Sequence, residues 1–372
     1  MPFHKGLLPR EGFFGDVILR LIDRTLLNPS LLLPLILFAR YTKRGHNLSV
    51  VHEKAYGRIK KLFYISLVKS ISKYISGRAR DNWTSDRYDW SREIVLVTGG
   101  AGGIGGAMVK FFDELGIKVV VIDVQPMSFR ASHRVHHFTC DIRSPEKVNA
   151  VADEIRAKVG HPTVLINNAG VARGKYILDA EPGDVRFTFD VNTLAHYWLA
   201  KAFLPNMIRT NHGMVVTVAS LASWITAPKM VDYAASKAAA LAFHEGLASE
   251  LATVYNATKV RTVVVHPAHT RSDLFKGFDQ KDPFFFPTLH TDSMAEAVVR
   301  QVLTGRSGQV VLPTAGRLVQ LLRVVPDFVS SKVRNDGAHY MKEWKGRQVI
   351  TDVDADFEGK EASESTVLVG KE

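Results

Sequence analysis

The chain lacks most of the features that would place it outside the cell or carry it straight across a membrane. It has one cysteine, Cys140, in 372 residues. A single thiol excludes an intrachain disulfide framework and suits a reducing, cytosol-facing setting. The first sixteen residues have no long apolar core, because Lys5, Arg10, Glu11 and Asp16 interrupt them. A cleaved secretory signal is therefore not expected at the start. No apolar run reaches the roughly 20 residues of a straight spanning helix. The stretch from Val17 to Ala39 is cut by Arg20, Asp23 and Arg24, and again by Pro29 and Pro34. Excess positive charge is also scarce outside the N-terminal part. Residues 1–92 hold 17 Lys/Arg against 7 Asp/Glu, so they carry +10 of the formal +11 and leave the rest nearly neutral. Because apolar residues are interleaved with that charge, it points to an acidic membrane surface before nucleic acid.

What the N-terminal part does contain fits that surface. The broken apolar run closes on Arg40, Lys43 and Arg44, as an interfacial or re-entrant insertion would. The competing reading is a segment packed on the main domain's own surface. Ile59, Leu62, Phe63, Leu67, Ile71 and Tyr74 recur at helical spacing among Lys60, Lys61, Lys69 and Lys73. That pattern predicts a basic amphipathic helix over residues 58–80, lying on a bilayer or simply solvated on its charged face. Asp81 to Asp86 reads as a linker.

From Glu93 the pattern changes. Ile94 to Thr98 is a buried-strand run, followed by Gly99-Gly100-Ala101-Gly102-Gly103-Ile104-Gly105, a helical stretch to Leu115, and a second strand ending at Asp123. Strand, glycine turn, helix, strand and carboxylate make a dinucleotide-binding βαβ unit. The glycines let the backbone approach a pyrophosphate, and the helix N-terminus favours its charge. Asp123 is placed to accept hydrogen bonds from adenosine ribose hydroxyls. It would repel a 2′-phosphate, and no basic residue in the glycine loop or just after Asp123 offsets that, so NAD is expected over NADP.

The alternation continues with a strand ending at Phe138 to Asp141, a helix after Ser144-Pro145, and a strand Val164 to Ile166 that runs into Asn167-Asn168-Ala169-Gly170. One long helix is expected from about Val185 to Ile208, carrying Asn192. Further strands are Met214 to Val218, with Ser220 just past its end, Val260 to Val265, and Gln309 to Leu312. The polar motifs fall at carboxyl ends of strands or on adjoining helices, where open α/β sheets place ligands. Tyr233 and Lys237 lie four apart, on one face of a predicted helix. A nearby ammonium stabilises a phenolate, which would make the phenol usable as an acid and base.

Taken together and in order, Thr98-Gly99-x-x-x-Gly103-x-Gly105, Asp141, Asn167-Asn168-Ala169-Gly170, Asn192, Ser220 and Tyr233-x-x-x-Lys237 resemble the short-chain dehydrogenase/reductase family over roughly Glu93 to Pro313. His196-Tyr197-Trp198, Asn211-His212-Gly213 and Phe243-His244-Glu245 look like its membrane-associated branch, with retinol dehydrogenases and lipid-droplet 17β-hydroxysteroid dehydrogenase-like enzymes. The resemblance implies Tyr233 as acid/base and Ser220 as the group that holds the substrate oxygen. Lys237 would lower the tyrosine pKa and bind ribose, and Asn192 would position a relay water. It further implies cofactor contacts from Thr98, Gly99, Gly103, Ile104, Gly105, Asp123, Asp141, Ile142, Asn168, Ala169, Gly170, Tyr233, Lys237, Pro267, Thr270 and Ser272. The chain departs from the family in having Pro267-Ala268 where Pro-Gly is usual, and Ser272 where threonine is common. Ser223 is a second hydroxyl near Ser220; spacing to Tyr233 favours Ser220. No metal site is expected.

Leu274, Phe275, Phe278, Phe284, Phe285, Phe286 and Leu289 occupy the substrate-lid region. They suit an apolar substrate entering from a membrane, or else pack the lid itself. The expected architecture is an α/β, Rossmann-type doubly wound parallel sheet over 92–315, preceded by a hydrophobic, basic membrane-associating extension (1–91). A C-terminal extension follows (316–350), with a second membrane-facing patch between Leu318 and Val333, and then a disordered tail (351–372). The expected protein is an NAD-dependent dehydrogenase for a lipophilic alcohol (steroid, retinoid or long-chain lipid). It would sit on the cytosolic side of endoplasmic reticulum or lipid droplet, bind no nucleic acid, and have homodimerisation open to it. An NADPH-type reductase of ketoacyl or ketosphingoid lipids and a catalytically silent dinucleotide-binding membrane scaffold are the alternatives.

Overall fold

The β-branched runs read from the sequence pair as one parallel sheet. In the computed structural model, which describes residues 3–6 and 8–346, its strands are β1 (Ile94–Thr98), β2 (Lys118–Asp123), β3 (Val135–Thr139), β4 (Val164–Asn167), β5 (Gly213–Val218), β6 (Val260–Pro267) and β7 (Gly308–Leu312). They lie in the order β3-β2-β1-β4-β5-β6-β7, with every neighbouring pair parallel. The helices are α1 (Gly15–Arg24), α2 (Pro29–Tyr41), α3 (Lys43–Val51), α4 (Glu53–Arg80), α5 (Gly103–Glu114), α6 (Pro145–Lys158), α7 (Pro182–Phe189), α8 (Ala195–Thr210), α9 (Val231–Thr253), α10 (Thr291–Leu303) and α11 (Asp327–Asp336). The expected disordered tail, 351–372, lies outside the described residues.

Strand alternation divides the core into two layers. Leu96, Val120, Leu165 and Val215 face α6, α8 and α9, where Ile155, Leu199, Phe203 and Leu247 meet them. Val95, Val97, Val121 and Ile166 face α5 and α10, against Phe111, Phe112, Met294 and Val298. Each such fully buried aliphatic side chain contributes about 1.5–3 kcal/mol, which makes the sheet a rigid platform for whatever projects from its carboxyl edge. The strand order reverses between β1 and β4, and the crevice there is where doubly wound sheets take their ligands.

Two sequence expectations are corrected. The single helix expected from Val185 to Ile208 is two helices, α7 and α8, joined by a π-helical turn over Asp190–Leu194. That turn carries Asn192, whose amide is drawn inward to the backbone of Val171 and to Ser236. A π-turn is the ordinary way to swing one side chain out of helical register. Pro34 does not end the second apolar run either. Helix α2 starts with Pro29 in its first turn, capped by the Asn28 side chain accepting from Ser30 N at 3.0 Å, and passes through Pro34 to Tyr41.

No single helix among the described residues is long and apolar enough to cross a membrane; α1 and α2 pass that test only as a pair, bent by 40°. Helix α2 packs against α3 and α4. Ile59, Leu62, Phe63 and Leu67 of α4 are accordingly half-buried, while Ile71 and Tyr74 further along remain exposed. The first residues of the chain are bonded to the segments around β7 and α10. Asp16 accepts from Thr314 N with both carboxylate oxygens at 2.8 Å, Glu11 accepts from His290 N at 2.9 Å, and Arg10 pairs with Glu296 at 2.7 Å. The stretch read as a linker is a fixed joint. Asp81 is buried, pairs with Arg306 at 2.8 Å, and accepts from Ser307 N, while Arg261 donates to its carbonyl.

Candidate active site

A cavity of ≈ 770 Å³ opens along the carboxyl edge of the sheet. Its floor at one end is the turn between β1 and α5. Gly103 there has φ +56, a conformation that favours glycine, and a methyl group on Gly105 would lie 2.0 Å from the Gly99 carbonyl oxygen. The turn is stapled to β4. Asn168 Nδ2 donates to the carbonyls of Thr98 and Gly99 at 2.9 and 3.1 Å, and Thr98 Oγ1 accepts from Asn168 N and Ala169 N. Asp123, at the end of β2, accepts from Ala101 N at 2.9 Å and from Gln125 N at 3.0 Å, and it lines the same cavity.

Of the expected cofactor contacts, Gly99, Gly103, Ile104, Asp141, Ile142, Asn168, Ala169, Gly170, Pro267, Thr270 and Ser272 line the cavity with Asp123. Thr98 and Gly105 do not; they shape it from behind, one through its hydroxyl staple and the other by close packing on Gly99. Asp141 carries a partner that the motif did not announce. Arg143 Nη2 lies 2.6 Å from its Oδ2 and Nε about 3 Å from both oxygens. Burial alone would raise the Asp141 carboxyl, but the Arg143 hydrogen bonds outweigh it and hold the carboxyl below its ordinary value. The guanidinium also sits over the Phe187 ring at 4.8 Å. The signal was the two-residue spacing after Asp141.

At the other end, Ser220, Tyr233 and Lys237 converge, all buried. The Ser220 hydroxyl donates to the Pro267 carbonyl at 3.4 Å and accepts from Ala222 N at 3.1 Å, and it lines the cavity together with the Tyr233 phenol. Ser223 Oγ donates to the Ser220 carbonyl at 2.6 Å, so it braces the turn. His266 on β6 holds the same turn, its Nδ1 being 3.1 Å from the Ser220 carbonyl, and its ring stacks on Trp224. Lys237 Nζ donates to the Val218 carbonyl at 2.9 Å and lies 5.9 Å from the centre of the Tyr233 ring. Gly170 fills the space beside it, since a methyl group there would be 3.3 Å from Lys237 Nζ and 3.4 Å from Asn192 Oδ1.

Burial governs the electrostatics of this end of the cavity. Burial pushes the Tyr233 phenol up to about 12, with the Ser220 hydrogen bond acting the other way, and burial pulls Lys237 down to about 8. The Lys237 ammonium is directed to the Val218 carbonyl, and desolvation is the largest influence on both groups. Asn192 does not line the cavity. Its Oδ1 accepts from Val171 N at 2.8 Å and its Nδ2 donates to Val171 O and Ser236 Oγ at 2.9 Å, tying the strand-4 loop to α9.

The profile of the short chain dehydrogenase family matches residues 93–283. Dehydrogenase RED2 of Cochliobolus heterostrophus is 46% identical over 201 residues, which are 53% of this chain and 76% of that protein. Epidermal retinol dehydrogenase 2 of Mus musculus is 36% identical over 57% of this chain and 71% of its own length. Estradiol 17-beta-dehydrogenase 11 of Mus musculus is 33% identical over 63% and 80%. A short-chain dehydrogenase of Streptomyces avermitilis shares the fold, with TM-score 0.53 at 21% identity over 66% of this chain and 96% of that one. The chain belongs to the short-chain dehydrogenase/reductase family, within the branch of retinol- and 17β-hydroxysteroid-dehydrogenase-type enzymes, and is an oxidoreductase of the CH–OH group that uses a nicotinamide dinucleotide.

Proposed function

We propose that the protein is an NAD-dependent dehydrogenase of a lipophilic alcohol, working at a cytosol-facing membrane or lipid-droplet surface. One observation carries the reading: a single cavity joins Asp123 and the glycine turn at one end to Ser220, Tyr233 and Lys237 at the other. The glycine turn fits a dinucleotide: the open space beside Gly103 is cavity that a side chain would fill, close packing of Gly105 on Gly99 holds the turn, and the N-terminus of α5 would face the pyrophosphate. Asp123 would take the adenosine ribose, and Lys237 with Tyr233 the nicotinamide ribose. When bound, the dinucleotide accepts or returns the hydride and, in its oxidised form, brings positive charge beside the phenol.

The chain's own residues manage the proton. In oxidation, Tyr233 Oη acts once deprotonated and takes the alcohol proton as the carbonyl forms; in reduction the neutral phenol gives its proton to the carbonyl oxygen. The Ser220 hydroxyl donates to the same substrate oxygen and keeps it within hydrogen-bonding reach of the phenol. Lys237, easily deprotonated for a lysine, would pass the phenol proton onward in oxidation and replenish it in reduction, through the ribose side of the site. Asn192 fixes the approach of α9 to the strand-4 loop, and a water at that joint would lead the proton out.

The surface reading rests on α2, where Leu31, Leu35 and Phe38 are about half exposed on a helix that is apolar all round. Exposed Leu318, Leu321 and Val324 lie beyond β7, in the segment against which α1 is seated. Purified protein supplied with NAD and a panel of steroid, retinoid and long-chain alcohols should form NADH with at least one of them. Turnover confined to small hydrophilic alcohols would reject the reading.

A further inference from the structure

Residues 337–346 turn back from α11 over the mouth of the cavity and clasp the loop that follows β6. Trp344 Nε1 donates to the Leu274 carbonyl at 2.9 Å, Lys345 N donates to the Lys276 carbonyl at 2.9 Å, and Asp279 N donates to the Tyr340 carbonyl at 3.0 Å. The two segments meet backbone to backbone. Gly277 has φ +81, and a methyl group on it would lie 2.1 Å from the Glu343 carbonyl oxygen. The Trp344 ring covers Gly174 as closely, and Met341 is 1% exposed. The segment before α11 grips the opposite wall, where Arg323 donates to the carbonyls of Trp224 and Ser223 at 3.2 and 3.1 Å.

These contacts assemble an aromatic wall. The Tyr340 ring stacks on Phe278 (5.2 Å, 17° between planes), and Phe278 stacks on His269 (4.4 Å, 25°). Phe275 meets Phe278 edge-on at 6.1 Å and Tyr233 edge-on at 5.3 Å, which connects the wall to the phenol. Tyr340, Phe278 and Phe275 line the same cavity as Tyr233 and Ser220. Residues 337–346 lie beyond the family match, which ends at 283, so the wall is completed by a part of the chain that the family pattern does not supply.

We propose that this C-terminal strap determines substrate choice: Tyr340, held by the Trp344 latch, is the surface against which the flat, unsaturated or ring-bearing body of an apolar alcohol packs. The inference rests on the reading of the protein as a dehydrogenase of lipophilic alcohols and narrows the substrate class. Flat π-faces gain most from flat partners, so a planar body is favoured over a saturated flexible chain.

The test compares retinol with dodecanol, both primary alcohols, in wild type, Tyr340→Ala, Trp344→Ala and Trp344→Phe. Removing the Tyr340 ring should lower the retinol-to-dodecanol ratio of kcat/KM by about fivefold or more, the size expected for loss of one aromatic face, and mainly through KM. Trp344→Ala should act in the same direction, and Trp344→Phe should recover part of the loss. An equal fall for both alcohols would mean a purely structural clamp and would overturn the proposal. Retinol binding, followed by its own fluorescence, separates this from the activity itself. If wild type binds retinol without oxidising it and Tyr340→Ala binds it at least fivefold more weakly, the dehydrogenase reading fails and the strap stands. Equal retinol affinity in the two proteins overturns the strap. Should Tyr340→Ala not fold, Tyr340→Leu keeps the bulk without the π-face and carries the same comparison.

Discussion

The Lys237 ammonium is anchored on the carbonyl of Val218, the last residue of β5, at 2.9 Å. Ser220 follows two residues later, so one strand end sets the position of both groups that flank Tyr233. The same anchor buries a cation, which pulls Lys237 down to about 8. Lys237→Met conserves length and removes that buried charge. It leaves the Val218 carbonyl without its donor at a cost of about 1–3 kcal/mol, but relieves the burial of an ammonium. Thermal unfolding should therefore move by only a few degrees while turnover falls by about 100-fold or more. Near-wild-type turnover in this variant would remove Lys237 from the proton path.

Asp123 has two duties that one substitution can separate. Its carboxylate braces the glycine turn through Ala101 N and Gln125 N, and its charge would exclude a 2′-phosphate. Asp123→Asn keeps an acceptor and drops the charge. The ratio of kcat/KM with NADP to that with NAD should rise by about tenfold or more, with little change in melting temperature. An unchanged ratio would detach Asp123 from cofactor choice.

A histidine far from the cavity gives the stability a pH dependence of known sign. His212 sits between Asp86 (2.7 Å) and Glu93 (3.2 Å), with the Tyr88 ring packed on it. Burial opposes its protonation, yet the hydrogen bonds to Asp86 and Glu93 prevail and raise its pKa above 6.5. A raised histidine pKa means that its contribution is fully present below the unfolded value and is lost as pH rises through the folded one. Melting temperature should fall from about pH 6.5 upward, and His212→Gln should flatten that slope. A wild-type slope of opposite sign in this window would contradict the assignment.

The exposed face of α2 should govern membrane partition without governing stability. Leu31→Ser, Leu35→Ser and Phe38→Ser together remove about three apolar side chains from an interface while leaving the core intact. Co-sedimentation with anionic vesicles should drop at least about tenfold at an unchanged melting temperature. Undiminished sedimentation would transfer the membrane contact to another part of the chain.

The sequence showed what local patterns determine. Strands appeared as β-branched runs, the glycine turn as an unusual density of one residue, and Tyr233 with Lys237 as neighbours on a helix face. Asn192 was found by its place in an ordered set of motifs, but the π-turn around it was not, because that turn answers to Val171 and Ser236 in other elements. Nor was the fixed joint at Asp81 visible, since its partners Arg306 and Ser307 are more than 220 residues away. The docking of Arg10, Glu11 and Asp16 and the clasp of Trp344 on Leu274 were hidden for the same reason: they are long-range pairings that leave no periodicity in the chain. The spacing of Tyr233 and Lys237 revealed a neighbouring charge but not the burial of both groups, which only the folded chain produces.

The most direct test of the central claim is Tyr233→Phe, which deletes one hydroxyl and keeps the ring packed against Phe275. NADH binding should stay within about twofold of wild type, while NADH formation from a lipophilic alcohol should fall by about 100- to 10,000-fold, the range for loss of an acid/base group. Turnover at the wild-type rate would contradict the account, and so would loss of NADH binding in step with activity.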